Sequence, residues 1–348
     1  MRILFFGTSQ FAVPILQRLA AVAETGLPGQ GGADRPEIVA VVTQPDRPRG
    51  RGLRPAPSPV KLAASRLGLP ILQPVRVRHK SFLQTAQELK PDVLVLAAFG
   101  QIIPQSLLEI APLGPINVHA SLLPAYRGAA PIQRAIMNGD TVTGVTTMWM
   151  DATLDTGDIL LQRSLPIAPN DTTGTLTEKL AELGADLVVE TLFLLQKGAC
   201  PRVPQDHSAA TYAPALTPED AVVPWNDPAP AIHNRVRALN PSPGAQTFFR
   251  GRRLKVWKTQ PVDVGGQHTM PADDGGVRRD PQMAEDKGMA TPGCILGVTR
   301  AGVEVATGGG RLLLLEVQPE GGRRMSASEW ARGARLQVGD CFVAPAQQ

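Results

Sequence analysis

The residues best equipped for chemistry lie in two short stretches. Asn117-Val118-His119 ends an apolar run, and Ser121-Leu122-Leu123-Pro124-Ala125-Tyr126-Arg127-Gly128 follows it as a loop. Two apart on a strand, the Asn117 and His119 side chains point to the same face. An amide is a neutral hydrogen-bond donor, and an imidazole exchanges a proton near neutrality. A lone strand-end histidine is usually a satisfied structural residue. One paired with asparagine and followed by a Pro- and Gly-containing loop reads as a site. The second stretch, Asp151-Ala152-Thr153-Leu154-Asp155-Thr156-Gly157-Asp158, carries three acids. Its spacing does not match a calcium loop. A loop carboxylate that orients or charges His119 is a sharper reading than a merely solvated loop.

These stretches need elements to hold them. Through about residue 200, apolar runs of strand length alternate with helical patterns. Strands are predicted at Ile3–Phe6, Ile38–Val42, Asp92–Ala98, Ile116–His119, Val145–Met150 and Ile159–Leu165. Between them, Phe11–Leu19, Val60–Leu67, Phe82–Leu89, Pro131–Asn138 and Leu176–Gln196 read as helices. Such alternation predicts an α/β, Rossmann-like domain over 1–200 with a parallel sheet covered on both faces. In such sheets ligands bind outside the carboxyl ends of the strands, where Asn117 and His119 lie. A proline-rich stretch, 201–218, reads as a linker. Beyond it, short strands at Gln246–Phe249, Leu254–Trp257, Ile295–Thr299, Gly302–Ala306 and Leu312–Val317 predict a small OB-like β-barrel over 219–348. Residues 262–292 read as a disordered insertion that is dispensable, and 25–36 as a smaller one.

Composition removes several classes. Thirty-five Lys and Arg against 31 Asp and Glu give a formal charge of +4, which permits a polyanionic partner without demanding one. Aromatic residues are 4% of the chain, too few for a base-stacking platform. Cys200, Cys294 and Cys341 are scattered, so neither a disulfide framework nor a zinc site is expected, and no metal is predicted. Gly7-Thr8-Ser9 lacks the G-x-G-x-x-G spacing, which leaves a nucleotide cofactor unsupported. No apolar run approaches membrane-spanning length, so a soluble, cytoplasmic protein is expected.

The combination of Asn117-x-His119, Ser121-Leu122-Leu123-Pro124 and Leu154-Asp155-Thr156-Gly157-Asp158 resembles the 10-formyltetrahydrofolate-dependent formyltransferases. Narrower marks are Thr43-Gln44-Pro45-Asp46-Arg47-Pro48, Gly50-Arg51-Gly52 and Arg127-Gly128-Ala129-Ala130-Pro131-Ile132-Gln133. They look like the members that formylate the amino group of initiator methionyl-tRNA. The resemblance runs along nearly the whole chain and fails at the two insertions. It implies a catalytic set of Asn117, His119 and Asp155, a folate-contacting segment Ser121, Leu122, Leu123 and Pro124, and 10-formyltetrahydrofolate as formyl donor. Residues 99–104 are a further expected stretch of apolar pocket wall.

The residue types suit that reaction. Attack of an amine on a formyl carbon develops an oxyanion and a cationic nitrogen. The Asn117 amide suits the oxygen, His119 can accept or relay the proton, and Asp155 can orient and charge-balance the ring. Two basic regions suit an RNA substrate. Arg47, Arg49, Arg51 and Arg54 crowd a loop with Asp46 as its one acid, and the resemblance aligns Arg51 with the family's key arginine; this loop is expected to order only on RNA. From Arg235 to Lys258 there are seven basic residues and no acid, among them Arg250, Arg252, Arg253 and Lys255. Such a run can be a solvated face, but phosphate contact fits it better. A transferase acting on an amino sugar nucleotide, or a formyl-folate hydrolase, would keep the triad and leave the basic regions unexplained. An RNA-binding module would leave the triad unexplained. A monomer is expected.

Overall fold

The structure, a computed structural model, describes residues 1–27, 35–49, 54–262 and 290–343. Arg51 with its flanking glycines, most of the 25–36 loop and nearly all of the 262–292 insertion lie outside the described residues. The chain forms two compact units. The first comprises Met1–Ile132, Thr141–Ile167 and Thr175–Ala215; the second comprises Gln133–Asp140, Ala168–Gly174 and Leu216–Gln348.

In chain order the elements begin with β1 (Arg2–Gly7), α1 (Ala12–Thr25), β2 (Glu37–Val42), β3 (Arg47–Arg49), β4 (Arg54–Ala56) and α2 (Pro59–Arg66). Next come β5 (Ile71–Leu72), α3 (Lys80–Glu88), β6 (Val93–Ala97), α4 (Gln105–Leu108), β7 (Pro115–His119) and β8 (Arg127–Gly128). Then follow α5 (Pro131–Asn138), β9 (Val142–Trp149), β10 (Ile159–Pro166), α6 (Thr173–Gln196) and β11 (Tyr212–Ala213). The remainder is α7 (Ala229–Ala238), β12 (Ala245–Phe249), β13 (Arg252–Val262), β14 (Ile295–Val298), β15 (Val303–Ala306), β16 (Arg311–Pro319), β17 (Met325–Ser326) and α8 (Ala327–Gly333).

The first unit is built on a seven-stranded sheet of order β10-β9-β7-β6-β1-β2-β5. All five residues of β6 are buried, and so are five of the six in β1, as both faces of the sheet are covered. Strands β5, β2, β1, β6 and β7 run parallel. The sheet is parallel in the main, as expected, and departs from that at one edge, where β9 is antiparallel to β7 and β10 antiparallel to β9. For β10 the physical reason is its connection to β9. It is a loop with no helix, and parallel neighbours need a crossover. That loop is the acidic stretch. It leaves β9 beside Pro115, where the Met150 N–H donates to the Pro115 carbonyl, and must run back along β7 to reach Asn117.

The second unit carries an antiparallel sheet of order β12-β13-β16-β15-β14 with β17 on β16, six strands where five are predicted. Ile232 and Val236 of α7 and Trp330 of α8 are buried with Leu254, Val256, Leu312 and Leu314 in one core. Phe342 stacks on Trp225 and Trp330 at centroid distances of 5.3 and 6.0 Å. The cysteine expectation is also overturned. Cys294 and Cys341 form a disulfide across an antiparallel bridge, 47 residues apart in sequence, while Cys200 is free. No spacing motif announces such a pair, since only strand pairing brings the two together.

His233 of α7 touches Thr259 Oγ1 at 3.0 Å and the Pro169 carbonyl at 3.4 Å, and burial lowers its pKa from the ordinary 6.5. With the folded value depressed, the unfolded chain binds the proton first as the pH falls. The stability contributed by the neutral ring is therefore complete above about pH 6.5 and declines below it. His233→Gln should flatten the fall in melting temperature of this unit between roughly pH 7 and pH 5. Calorimetry of both proteins across that range checks this, and equal slopes would refute it.

Candidate active site

Asn117 and His119 sit on β7, an interior strand. Asn117 lies opposite Leu96 on one side and Met148 on the other, and His119 lies opposite Thr146. Of the three acids in the β9–β10 loop, only one faces them. Asp151 accepts from Thr153 and Thr156 within its own loop, and Asp158 pairs with Arg202 at 3.0 Å. Asp155 turns inward. Its Oδ1 accepts from Asn117 Nδ2 at 3.4 Å, and its Oδ2 accepts the Gly128 N–H at 2.9 Å and lies 3.7 Å from His119 Nδ1. The fold thus brings together all three residues of the sequence-predicted triad.

Backbone conformation accompanies this convergence. Asp155 (φ 51°) and Tyr126 (φ 61°) both occupy the left-handed region. Asp tolerates it through its short polar side chain, whereas tyrosine rarely does, and such residues concentrate at functional sites. Gly157 lets the loop lie against β9, because a Cβ there would fall 1.8 Å from the Trp149 carbonyl oxygen. The distorted Tyr126 has its own role, one that no sequence motif signals. Its carbonyl lies 3.0 Å from His119 Nε2. A carbonyl only accepts, so Nε2 carries the proton, and a neutral ring bears its lone pair on Nδ1, the side of Asp155. The ring itself is buried.

The Ser121–Pro124 segment is held by hydrogen bonds that its composition does not reveal. Thr146 Oγ1 donates to the Ser121 carbonyl (2.7 Å) and accepts from the Leu123 N–H (3.1 Å) and Gln162 Nε2 (2.9 Å). Gln162 Nε2 also donates to the Leu123 carbonyl at 2.8 Å. Ser121 and Leu123 are buried, and Ser121 Oγ donates to the Ala125 carbonyl, so these two serve the segment's shape. Leu122 and Pro124 are half-exposed. In the stretch after β6, Phe99 and Ile103 are buried in the core while Ile102 is 90% exposed.

The arginine loop starts as a hairpin of β3 against β4, Arg47 opposite Ala56 and Arg49 opposite Arg54. Its base is anchored. The Asp46 carboxylate accepts from Lys61 Nζ at 2.8 Å and Gln73 Nε2 at 2.9 Å, bonds that hold it below the usual carboxylate range, and Arg47 donates to Gln44 Oε1. Strand pairing forms this base; Arg51, on the part of the loop for which mobility is expected, lies outside the described residues.

The run from Arg235 to Lys258, in the second unit, is not one surface. Arg237 is buried, donating to Asn234 Oδ1 and the Asp171 carbonyl. Arg250 pairs with Asp340 and Arg253 with Glu320, each at 3.0 Å. Alternate residues of β13 project Arg253 and Lys255 on the side opposite the buried Leu254 and Val256, and Arg252 is exposed. Lys255 Nζ donates to the Pro243 carbonyl at 2.7 Å, and burial, then Arg253 and Arg324, lower its pKa. The Arg324 guanidinium covers the Trp257 ring at 3.6 Å. Among the described residues, no group of three or more His, Cys, Asp or Glu is placed to hold a metal ion.

Gly157→Ala should move the Asp155 carboxylate and lower turnover at least about 10-fold, with a stability loss of about 1–3 kcal/mol from overpacking. Gly333→Ala, where a Cβ meets nothing within 4 Å, is the control and should match the wild type. Rates and melting temperatures of both variants test this; a fully active Gly157→Ala would show that the loop adjusts.

The chain resembles known proteins along nearly its whole length. Residues 1–192 match the formyl transferase family and residues 215–335 match the formyl transferase C-terminal domain. Methionyl-tRNA formyltransferases from Solibacter usitatus and Desulforamulus reducens are 48% and 44% identical to the chain, each alignment covering 97% of this chain and 96% of the relative. Among solved structures, HypX from Aquifex aeolicus in complex with tetrahydrofolic acid superposes with a TM-score of 0.60 at 18% identity, covering the whole of this chain and half of HypX. The N-formyltransferase from Helicobacter canadensis, in complex with folinic acid and dTDP-3-aminofucose, gives 0.59 at 17% identity, with 90% of this chain and 98% of that one covered. At those identities the two structures speak for the fold. With full-length identities of 44–48% and both domains matched, the chain belongs to the methionyl-tRNA formyltransferase family.

Proposed function

We propose that Asn117, His119 and Asp155 carry out the transfer of a formyl group from 10-formyltetrahydrofolate to the free amino group of initiator methionyl-tRNA. The observation that carries this reading is the meeting of an amide, an imidazole and a carboxylate at the end of β7 in a member of this family. The folate supplies a formyl carbon open to attack by an amine. As the carbon–nitrogen bond forms, the formyl oxygen gains negative charge and the amine nitrogen must lose a proton. Asn117 Nδ2 has two hydrogens; Asp155 takes one, and the second is available to the oxygen. His119 Nδ1 accepts the proton from nitrogen, and the resulting imidazolium is held between the Tyr126 carbonyl and the Asp155 carboxylate. Collapse of the tetrahedral centre then breaks the bond from the formyl carbon to the folate nitrogen, the imidazolium returns its proton to that nitrogen, and tetrahydrofolate leaves with His119 neutral again. The scheme calls on no metal ion.

Leu122, Pro124 and the exposed Ile102 offer apolar surface to the folate, with Ser121 and Leu123 shaping the segment. Arg47, Arg49 and Arg51 would meet the acceptor end of the tRNA. Arg250, Arg252, Arg253 and Lys255 would meet phosphates farther along, with Arg252 and Lys255 the better placed because Arg250 and Arg253 already have carboxylate partners. The protein acts as a monomer in the cytoplasm. Among the described residues, no helix is long and apolar enough to cross a membrane.

Asn117→Ala, His119→Ala and Asp155→Ala should each lower kcat by about 10²–10⁴-fold while the protein still folds. Asp155→Asn, which keeps shape and loses charge, should resemble Asp155→Ala. Formylation of charged initiator tRNA with 10-formyltetrahydrofolate is the assay, and near-normal kcat in folded His119→Ala would remove the mechanism. The basic regions should separate. Replacing Arg252 and Arg253 by Ala should weaken tRNA binding and reduce the slope of log K against log salt by about one per lost phosphate contact. Arg51→Ala should lower kcat/KM far more than tRNA affinity, since positioning matters most in the transition state. Equal losses of binding and rate in both variants would reduce the loop to another electrostatic patch.

A further inference from the structure

The stretch 201–218 reads as a linker in sequence, yet one of its side chains is locked into the site. Gln205 is 5% exposed, and its amide uses its full hydrogen-bonding capacity. Nε2 donates to the Asp155 carbonyl at 2.9 Å and to the Gly157 carbonyl at 2.7 Å. Oε1 accepts from Arg127 twice, from Nε at 3.1 Å and Nη2 at 2.7 Å. With two donors spent on carbonyls and the oxygen facing a guanidinium, only one orientation of the amide is possible. Reversed, it would set oxygen against two carbonyl oxygens and NH₂ against a cation.

Arg127 closes the circuit. Its side chain is buried, makes no ion pair among the described residues, and has a further contact to His207 Nδ1 at 3.2 Å. The next residue, Gly128, gives its N–H to the Asp155 carboxylate. Asp155 is therefore gripped at both ends by one dipeptide, at its carboxylate directly by Gly128 and at its carbonyl through Gln205 by Arg127. That dipeptide is β8, itself paired with β11 and carrying a glycine whose Cβ would lie 2.8 Å from the Ala213 carbonyl oxygen. Asp155 occupies a left-handed conformation that its own chain does not favour, so external bonds are what hold it. Buried polar groups with every bond satisfied fix a geometry; one bond fewer releases it.

From this we infer that Gln205 is a positioning residue for formyl transfer, setting the Asp155 carboxylate against Asn117 and His119 without touching either substrate. The inference rests on the proposed role of Asp155. It also explains why an amide is needed. A glutamate would pair with Arg127 but offer no hydrogen to the two carbonyls, and an asparagine is one methylene too short to span both sides.

Gln205→Glu separates the two halves of the contact. It keeps and strengthens the partner of Arg127 while removing the clamp on the loop. It should remain folded through the pair with Arg127, with a lowered melting temperature because a carboxylate oxygen then faces two carbonyl oxygens. Its KM for tRNA should stay within about twofold, and its kcat should fall about 10- to 100-fold. Combined with Asp155→Asn, it should cost little beyond Asp155→Asn alone, because both changes act through one carboxylate. A Gln205→Glu enzyme with wild-type kcat would overturn the inference, since a residue that only satisfies Arg127 would be served by glutamate. Full additivity with Asp155→Asn would overturn it as well. If circular dichroism shows Gln205→Glu unfolded, Gln205→Asn is read by the same kcat-against-KM split and the same double variant, and wild-type kcat there overturns the inference. Asp155→Asn alone separates the two levels. Its full activity would sink the site assignment, whereas an impaired Asp155→Asn beside an active Gln205→Glu would sink only the role of Gln205.

Discussion

One carboxylate organises the first unit. Asp155 accepts from the Asn117 amide and the Gly128 N–H and faces His119 Nδ1, and those three groups come from two separate segments of the chain. An anion with two converging N–H donors in a largely buried setting is strongly oriented, since each bond is stronger away from water and each loss is more costly. The surrounding geometry follows from seating that anion. The β9–β10 loop has to fold back along β7, Gly157 has to lie against the Trp149 carbonyl, and β8 has to present Gly128.

The arrangement carries a cost in backbone energy. Tyr126 in the left-handed region costs roughly 1–2 kcal/mol relative to ordinary conformations, and Asp155, of a type that tolerates the region better, costs less. Hydrogen bonds from fixed elements offset it. The Tyr126 N–H donates to Thr211 Oγ1 at 2.9 Å, the Arg127 N–H donates to the Thr211 carbonyl at 2.9 Å, and the Asp155 and Gly157 carbonyls are both held by Gln205. The result is a tautomer chosen by a main-chain carbonyl. With Tyr126 O on Nε2, the lone pair of a neutral His119 is directed to the carboxylate side. Placement and proton position thus have one origin.

The second unit solves a different problem. Its outward face along β13 is cationic while its inward face is apolar, and strand alternation does this at Arg253, Leu254, Lys255 and Val256. Ion pairs of Arg250 and Arg253 with Asp340 and Glu320 temper the charge, so the field of this face is smaller than the count of basic residues implies. Arg324 stacked on Trp257 keeps one guanidinium flat against the sheet.

Much of this was legible in the sequence. The buried strands β1 and β6 announce themselves as apolar runs, and α6 by its length and period, because burial on both faces or on one stripe leaves a direct compositional trace. Asn117 and His119 are two apart on a strand, so their common face follows from the pleat alone. What tertiary structure decided is everything that depends on residues far apart in the chain. Three acids stand in the β9–β10 loop, and only packing selects Asp155, leaving Asp151 to its own turn and Asp158 to Arg202. The antiparallel edge of the sheet, the Cys294–Cys341 bond and the contact of Gln205 with a loop some fifty residues earlier have no local pattern. Local sequence encodes which residues are buried and how they alternate. Which polar group meets which is set by the summed packing of segments distant in the chain, because a hydrogen bond acts over about 3 Å of space and is blind to sequence distance.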